Sequence, residues 1–391
     1  MLNTSFAPWP SFTPEEAEAV AQVLKSNRVN YWTGQEGRQF EQEFAAWCGS
    51  QHAIAVANGT VALEIPLRAL GLEPGDEVIV TPRTFLASAS SIVQVGATPV
   101  FADVDPDSQN LTAATIEPLI TPRTKAILCV HLAGWPCEMH PILELARAHQ
   151  LAIIEDCAQA HGARYQGQSV GAIGTVAAWS FCQDKIMTTG GEGGMITTND
   201  AELWSKMWSA KDHGKSWQAV YERQHPPGFR WLHESFGGNG RLTEMQSAIG
   251  RLQLRKMPEW QQQRLANATQ IWETARGLAG LRVPEIPSHI DHAAYKAYIF
   301  VQPNALASGW SRDRIMAEIN AHGVPCYSGS CSEVYLEKAF DNTGFRPKER
   351  LPVAKQLGET SLMFLCHPTL TPEHVEKTCE VITAVITQAT R

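Results

Sequence analysis

Seven short apolar runs constrain this chain more than anything else in it. They are Ala53-Ile54-Ala55-Val56, Glu77-Val78-Ile79-Val80, Pro99-Val100-Phe101, Ala126-Ile127-Leu128-Cys129-Val130, Leu151-Ala152-Ile153-Ile154, Ala177-Ala178-Trp179-Ser180-Phe181 and Gly194-Met195-Ile196-Thr197. None alternates with polar residues, so each reads as a strand buried on both faces. Helical segments at 60–71, 86–95, 112–119 and 141–149 separate most of them. This alternation predicts an α/β fold, a mostly parallel seven-stranded sheet sandwiched by helices. The last two runs are joined by a Gly-rich segment, and an antiparallel pairing is open there.

The flanks predict less regular structure. Helices are expected at 14–26, opened by Thr13-Pro14-Glu15-Glu16, and at 37–47. A long helical region starts at Thr243 and ends near Leu278. Beyond it, Tyr295–Val301 and helices at 311–322 and 372–389 suggest a smaller α+β domain. We divide the chain into a large α/β domain, 1–260, and a small C-terminal domain, 261–391, with the N-terminal segment free to pack on the latter. Neither a repeat nor a low-complexity tract is visible.

Composition excludes several classes of function. A net charge of -8 over 391 residues leaves no basic surplus for a general nucleic-acid binder. No helix-turn-helix segment is evident, which argues against a DNA-binding regulator. No apolar stretch approaches a membrane span, and the first residues lack a basic segment followed by an apolar core, so no signal peptide is expected. The nine cysteines are odd in number and scattered, with no C-x-x-C pair. They predict neither a zinc site nor a disulfide framework, and they fit a reducing cytoplasm.

The chemistry gathers at strand ends. Lys185 follows the sixth run, in Ser180-Phe181-Cys182-Gln183-Asp184-Lys185, and precedes the Gly-rich turn. A surface lysine in a loop is the bland alternative; a functional lysine at the end of an α/β strand is the other. Asp156 ends the fifth run, 29 residues earlier. It reads either as a helix N-cap or as a carboxylate that keeps a pyridine nitrogen protonated. Together the two supply what pyridoxal phosphate chemistry needs, an amine for a Schiff base and a counter-ion for the ring. Asn58-Gly59-Thr60 opens a helix, and such an N-terminus also accepts phosphate, with Ser180 able to add a hydroxyl. Phe85 reads as a stacking platform or as a core residue. Gly214-Lys215-Ser216 resembles the end of a P-loop, but Ser209 stands where the first glycine is required, and that reading is discarded.

Taken in order, these segments resemble the DegT/DnrJ/EryC1/StrS family of sugar-nucleotide aminotransferases, of pyridoxal phosphate fold type I. The resemblance is strongest from Asn58 to Leu254. It includes Asn58-Gly59-Thr60-Val61-Ala62-Leu63, Glu155-Asp156-Cys157-Ala158-Gln159-Ala160-His161-Gly162, the Lys185 segment and Gly238-Asn239-Gly240-Arg241-Leu242-Thr243-Glu244. It implies that Lys185 forms the Schiff base, Asp156 pairs with the pyridine nitrogen and Gln159 lies near the cofactor's 3-hydroxyl. Gly59, Thr60 and Ser180 would hold the phosphate and Phe85 would stack on the ring. Asn239 would reach the phosphate of the other subunit, so the active site would be built in a homodimer. The implied reaction is ping-pong: L-glutamate, or glutamine, gives its amine to the cofactor, and a nucleotide-linked keto sugar takes it.

Relatives with a histidine in place of the lysine perform dehydration, and Lys185 argues against that branch. The segment Val324–Tyr335 departs from the family's usual Arg, aromatic and His, so the substrate pocket is expected to differ. Tyr327 within it, with His213 and Lys215, are the candidate substrate contacts; the latter two read equally as a solvated loop. Two other functions compete: transamination of a cyclitol or other cyclic ketone, and a non-catalytic, cofactor-binding regulatory homologue.

Overall fold

The computed structural model describes residues 6–225, 227–228 and 230–390. The strands in chain order are β1 (His52–Val56), β2 (Glu77–Val80), β3 (Thr98–Phe101), β4 (Thr124–Val130), β5 (Ala152–Asp156), β6 (Arg164–Tyr165), β7 (Gln168–Ser169), β8 (Val176–Ser180), β9 (Gly194–Thr198), β10 (Leu281–Arg282), β11 (Ile290–Asp291), β12 (Ala297–Val301), β13 (Cys326–Tyr327) and β14 (Ser361–Phe364). The α-helices are α1 (Pro14–Ser26), α2 (Glu36–Cys48), α3 (Gly59–Ala69), α4 (Ala87–Gln94), α5 (Ala113–Ile116), α6 (Met139–His149), α7 (Ala201–Lys211), α8 (Glu244–Arg276), α9 (Arg312–Ala321), α10 (Pro352–Thr360) and α11 (Pro372–Ala389).

The seven apolar runs form one sheet, in the order β1-β9-β8-β5-β4-β2-β3. Pairings from β8 to β3 are parallel, whereas β9 runs antiparallel to both β8 and β1. Six strands therefore point one way and only β9 opposes them. Side-chain alternation explains the unbroken apolar runs. Val78 and Val80 enter one hydrophobic core, with Leu128 and Ile154, while Ile79 enters another, with Ile127 and Ile153. Both faces of the sheet are dry, as helix-covered parallel sheets require. The carboxyl ends of β1, β2, β4, β5 and β8 share one edge, the place where open α/β sheets bind ligands.

Beyond the sheet, β10-β12-β14-β13 form an antiparallel sheet against α9, α11 and part of α8. Helix α8, 33 residues long, starts with a capping box between Thr243 and Gln246. It runs unbroken past residue 260. Its Leu254 and Met257 pack in the large-sheet core, and Ala268, Ile271 and Trp272 in the small-sheet core. Phe6 packs on the small-sheet core too, so the N-terminal segment crosses to that side. Strands β6 and β7 form a hairpin that pairs with β11. At two residues each, these strands are too short for a periodicity reading to detect.

Candidate active site

A cavity of about 1460 Å³ opens at the carboxyl edge of the large sheet, closed on its far side by the small domain. Asp156, the last residue of β5, forms part of it. Its Oδ2 accepts the Ser88 hydroxyl at 2.8 Å and its Oδ1 accepts the Ala158 N–H at 3.1 Å. Ser88 is held in turn by Thr84, 2.8 Å away. Burial raises the Asp156 pKa, outweighing the Ser88 and Ala158 hydrogen bonds and the charge of Lys185, which act the other way. An isolated carboxylate there lacks a cation close enough to compensate its desolvation.

Its chain neighbour Glu155 points to the opposite face of the sheet. It accepts the N–H groups of Gly171, Ile173 and Gly174 and the His131 ring at 3.0 Å. His131 Nδ1 accepts the Cys137 N–H, so its Nε2 carries the proton given to Glu155. Burial alone would raise the Glu155 pKa, but His131 and the backbone N–H groups hold it below the ordinary value. His131, Glu155 and Cys157 lie close enough together to suggest a metal site. The side-chain atoms of His131 and Glu155 are already committed to one another and to backbone N–H groups, which fixes the end of β5.

Lys185 sits in the loop after β8, its side chain 15% exposed. Its carbonyl accepts the Trp9 indole N–H at 2.8 Å, and its N–H donates to Cys182 O. Nζ lies 3.9 Å from Asp184 Oδ1 and 5.5 Å from the Tyr295 ring centroid. Tyr295 donates its hydroxyl to Asp184 at 2.6 Å. Burial alone would raise the Asp184 pKa, but Lys185, Tyr295 and Lys296 keep it below the ordinary value.

Between the aspartate and the lysine lies the start of α3. Asn58 caps it, Oδ1 accepting the Val61 N–H at 2.9 Å. Its first N–H groups have no partner within the helix, as at any helix start. Gly59 abuts Ser180: a Cβ on Gly59 would stand 2.7 Å from the Ser180 Cβ. Only glycine lets the helix start come this close to the Ser180 hydroxyl. Thr60, Gln159 and Phe85 also line the cavity. Gln159 spends its Oε1 on the Ala133 N–H at 2.9 Å. Phe85 is 70% exposed, so it is not a core residue.

The structure thus brings together Gly59, Thr60, Phe85, Asp156, Gln159, Ser180, Lys185 and Tyr327 around one cavity. Three other residues singled out in the sequence lie elsewhere in the protomer. Asn239 lines a second cavity, of about 570 Å³, on the outer side of α3; Val61 and Glu64 border both. His213 and Lys215 do not line the lysine cavity. His213 is exposed, with φ 60°, and its N–H bonds Gly238 O. Lys215 Nζ pairs with Asp212 at 3.1 Å and lies over the Trp32 ring, so its charge is used locally. Sequence reasoning missed Trp9, Tyr295, Lys296 and His367, which line the lysine cavity from the N-terminal segment and the small domain.

A mostly parallel sheet with a lysine and an aspartate at its carboxyl edge, beneath a small α+β domain, defines a transferase of fold type I. The chain belongs to the DegT/DnrJ/EryC1/StrS aminotransferase family, which it matches over residues 10–383. It is 36% identical over 381 residues to UDP-N-acetyl-3-dehydro-alpha-D-glucosamine 3-aminotransferase of Acidithiobacillus ferrooxidans, covering 97% of this chain and 95% of the relative. It is 35% identical to dTDP-3-amino-3,4,6-trideoxy-alpha-D-glucose transaminase of Streptomyces venezuelae, covering 93% of this chain and 90% of the relative. Among solved structures, the aminotransferase from Psychrobacter cryohalolentis superposes with a TM-score of 0.97 at 61% identity, covering 99% of this chain and 100% of the other.

Proposed function

We propose that the protein transfers an amino group from L-glutamate, or glutamine, to a keto sugar carried on a nucleoside diphosphate, with pyridoxal phosphate as cofactor. One observation carries the reading: Lys185, Asp156 and the Gly59–Ser180 contact at a helix start all face one cavity. The residues fit the cofactor. Asp156 is a buried carboxylate with room in its surroundings for a cation, which a protonated pyridine nitrogen would supply. The start of α3, Thr60 and Ser180 would take the phosphate. Phe85 and Gln159 would meet the ring's face and its 3-hydroxyl. Pyridoxal phosphate, when bound, would supply an aldehyde that exchanges amines and a ring that withdraws electrons, the chemistry a ping-pong transfer needs.

The protein's own part is to place groups and move one proton. Asp156 would hold positive charge on the ring nitrogen. Lys185, once released by the incoming amine, would be the base that takes a proton from the donor's α-carbon and the acid that delivers it to the cofactor's C4′, and it would move a proton the opposite way on the acceptor. Ser88 and Thr84 keep the Asp156 carboxylate in place. The relatives act on UDP- and dTDP-linked sugars by name, which supports a nucleotide sugar as acceptor over a free cyclic ketone. An intact Lys185 argues against a regulator that only binds cofactor. We assign the enzyme to the cytoplasm, where nine unpaired cysteines persist. Among the described residues no helix is long and apolar enough to cross a membrane.

We assign Asn239 to the cofactor phosphate of a second subunit. Its place outside the lysine cavity of its own protomer supports that reading, as do Trp231 and Phe236 nearby in sequence, 81% and 106% exposed. Absorbance tests the core of the proposal. With pyridoxal phosphate the protein should show a band near ~410–430 nm that falls when L-glutamate is added, while one near ~330 nm rises. Lys185→Ala should show neither the shift nor turnover. Near-normal turnover by that variant would sink the mechanism.

A further inference from the structure

The small-domain wall of the lysine cavity carries positive charge without a matching carboxylate. Lys296, immediately before β12, lines the cavity with its Nζ 4.9 Å from the Tyr295 ring centroid. No hydrogen bond or ion pair among the described residues engages that ammonium. Arg264 of α8 lies behind it and is 1% exposed. Its Nη1 reaches Tyr295 O at 3.5 Å, its Nε and Nη2 make no well-formed hydrogen bond, and the buried Cys366 thiol lies beside it without supplying a carboxylate. The Trp9 ring covers the guanidinium at 4.8 Å.

The neighbours do not neutralise this pair. His367 is uncharged: burial, with Arg264 and Lys296 adding to it, lowers its pKa to about 3. Asp184 accepts the Tyr295 hydroxyl and pairs with Lys185; it feels the charge of Lys296 but forms no ion pair with it among the described residues. Burial lowers the pKa of Arg264 to about 10 and also lowers that of Lys296, where the charge of Arg264 adds to the shift. Buried like charges of this kind are relieved by an anion.

We propose that Lys296, backed by Arg264, forms a subsite for a carboxylate of a reactant whose reacting end is at Lys185. The proposal rests on the aminotransferase function proposed above. The two lysine ammoniums flank one tyrosine ring, at 5.5 Å and 4.9 Å from its centroid, and so lie no further apart than the sum of those distances. A five-carbon dicarboxylic amino acid places its distal carboxylate carbon roughly 5 Å from its amine, four bonds of about 1.5 Å each. That span, plus one hydrogen bond, is shorter than this upper bound on the separation of the two lysines. Two sources share this chemistry: the distal carboxylate of the amino donor, and a carboxylate on the acceptor sugar.

The probe is glutarate, a dicarboxylate without an amine, titrated calorimetrically into the pyridoxal phosphate-loaded protein. Wild type should bind it. Lys296→Gln should weaken binding at least ~10-fold and Lys296→Arg should stay within ~3-fold of wild type. No glutarate binding by wild type, or equal binding by Lys296→Gln, overturns the subsite. The source is read separately. If Lys296→Gln raises the half-saturating L-glutamate but not L-glutamine, the donor's distal carboxylate occupies the site. If it raises KM only for acceptors bearing a ring carboxylate, the sugar does. Failure of the parent function is distinguishable: loaded wild type would then be inert to both donors, whereas the glutarate titration needs no turnover.

Discussion

Glu155 and Asp156 are adjacent in the chain, and their carboxyl pKa values are pushed in opposite directions. Strand alternation sends one into a ring of N–H donors and the other toward a cavity. The two therefore respond oppositely to removal of charge. For Glu155 the folded pKa is depressed, so its stabilisation is present above the ordinary glutamate range, about 4.3, and is lost as pH falls through the lower folded value. Glu155→Gln turns an amide against N–H donors and should cost about 2–4 kcal/mol at neutral pH by urea unfolding. That gap should narrow below roughly pH 4; a pH-independent gap would mean that packing, not charge, sets it.

For Asp156 the folded pKa is raised, so the ionised form destabilises the cofactor-free protein once pH exceeds the ordinary aspartate range, about 3.9. Asp156→Asn should raise the cofactor-free Tm by about 1–3 °C at neutral pH, with the gain fading toward pH 3.5, while activity falls by roughly 100-fold or more. A lower Tm at neutral pH would refute the assignment of Asp156 as an uncompensated charge. A residue that destabilises the empty protein and serves the loaded one is what a functional carboxylate looks like energetically.

At the level of elements, α3 does the most for the site, because its first turn must approach β8 closely. Gly59→Ala places a methyl 2.7 Å from the Ser180 Cβ, which the helix start can accommodate only by withdrawing. The expected result is at least ~10-fold weaker retention of pyridoxal phosphate in equilibrium dialysis, with a far smaller change in global stability. Unchanged retention would remove the helix start from the phosphate site. The sequence made this element legible: Asn58-Gly59-Thr60 has a cap and a glycine in order, and the apolar strand before it has no competing period.

The same holds for β5, β8 and the long helix after Thr243, whose patterns are local. The missed part of the site was not local. Trp9 reaches Lys185 across 176 residues, and Thr369 reaches Pro8 across 361. Lys296 stands just before β12, in Tyr295-Lys296-Ala297-Tyr298, where no local pattern distinguishes it from a surface lysine. Only the packing of the small domain against the sheet edge turns that side chain into the cavity. Lys215 shows the converse. A lysine beside a glycine invites a phosphate reading, but Asp212, three residues away, takes its charge.

On the scale of the whole molecule, each protomer holds an incomplete site if Asn239 serves the opposite subunit. Its own lysine cavity contains Lys185 and Asp156, while Asn239 lies across α3 in the second cavity. Subunit mixing tests this directly. Asn239→Ala should weaken cofactor retention in the homodimer, and Lys185→Ala should be inactive. A mixed dimer of the two would have one site with both Lys185 and Asn239 native and one with neither. Random reassociation of equal amounts makes about half the dimers mixed, each with one intact site of two, so activity should recover to about one quarter of wild type. A site built within one protomer gives a different result, because no mixed dimer then contains an intact site. Activity would stay at the mean of the two parents, and the shared-site arrangement would be wrong.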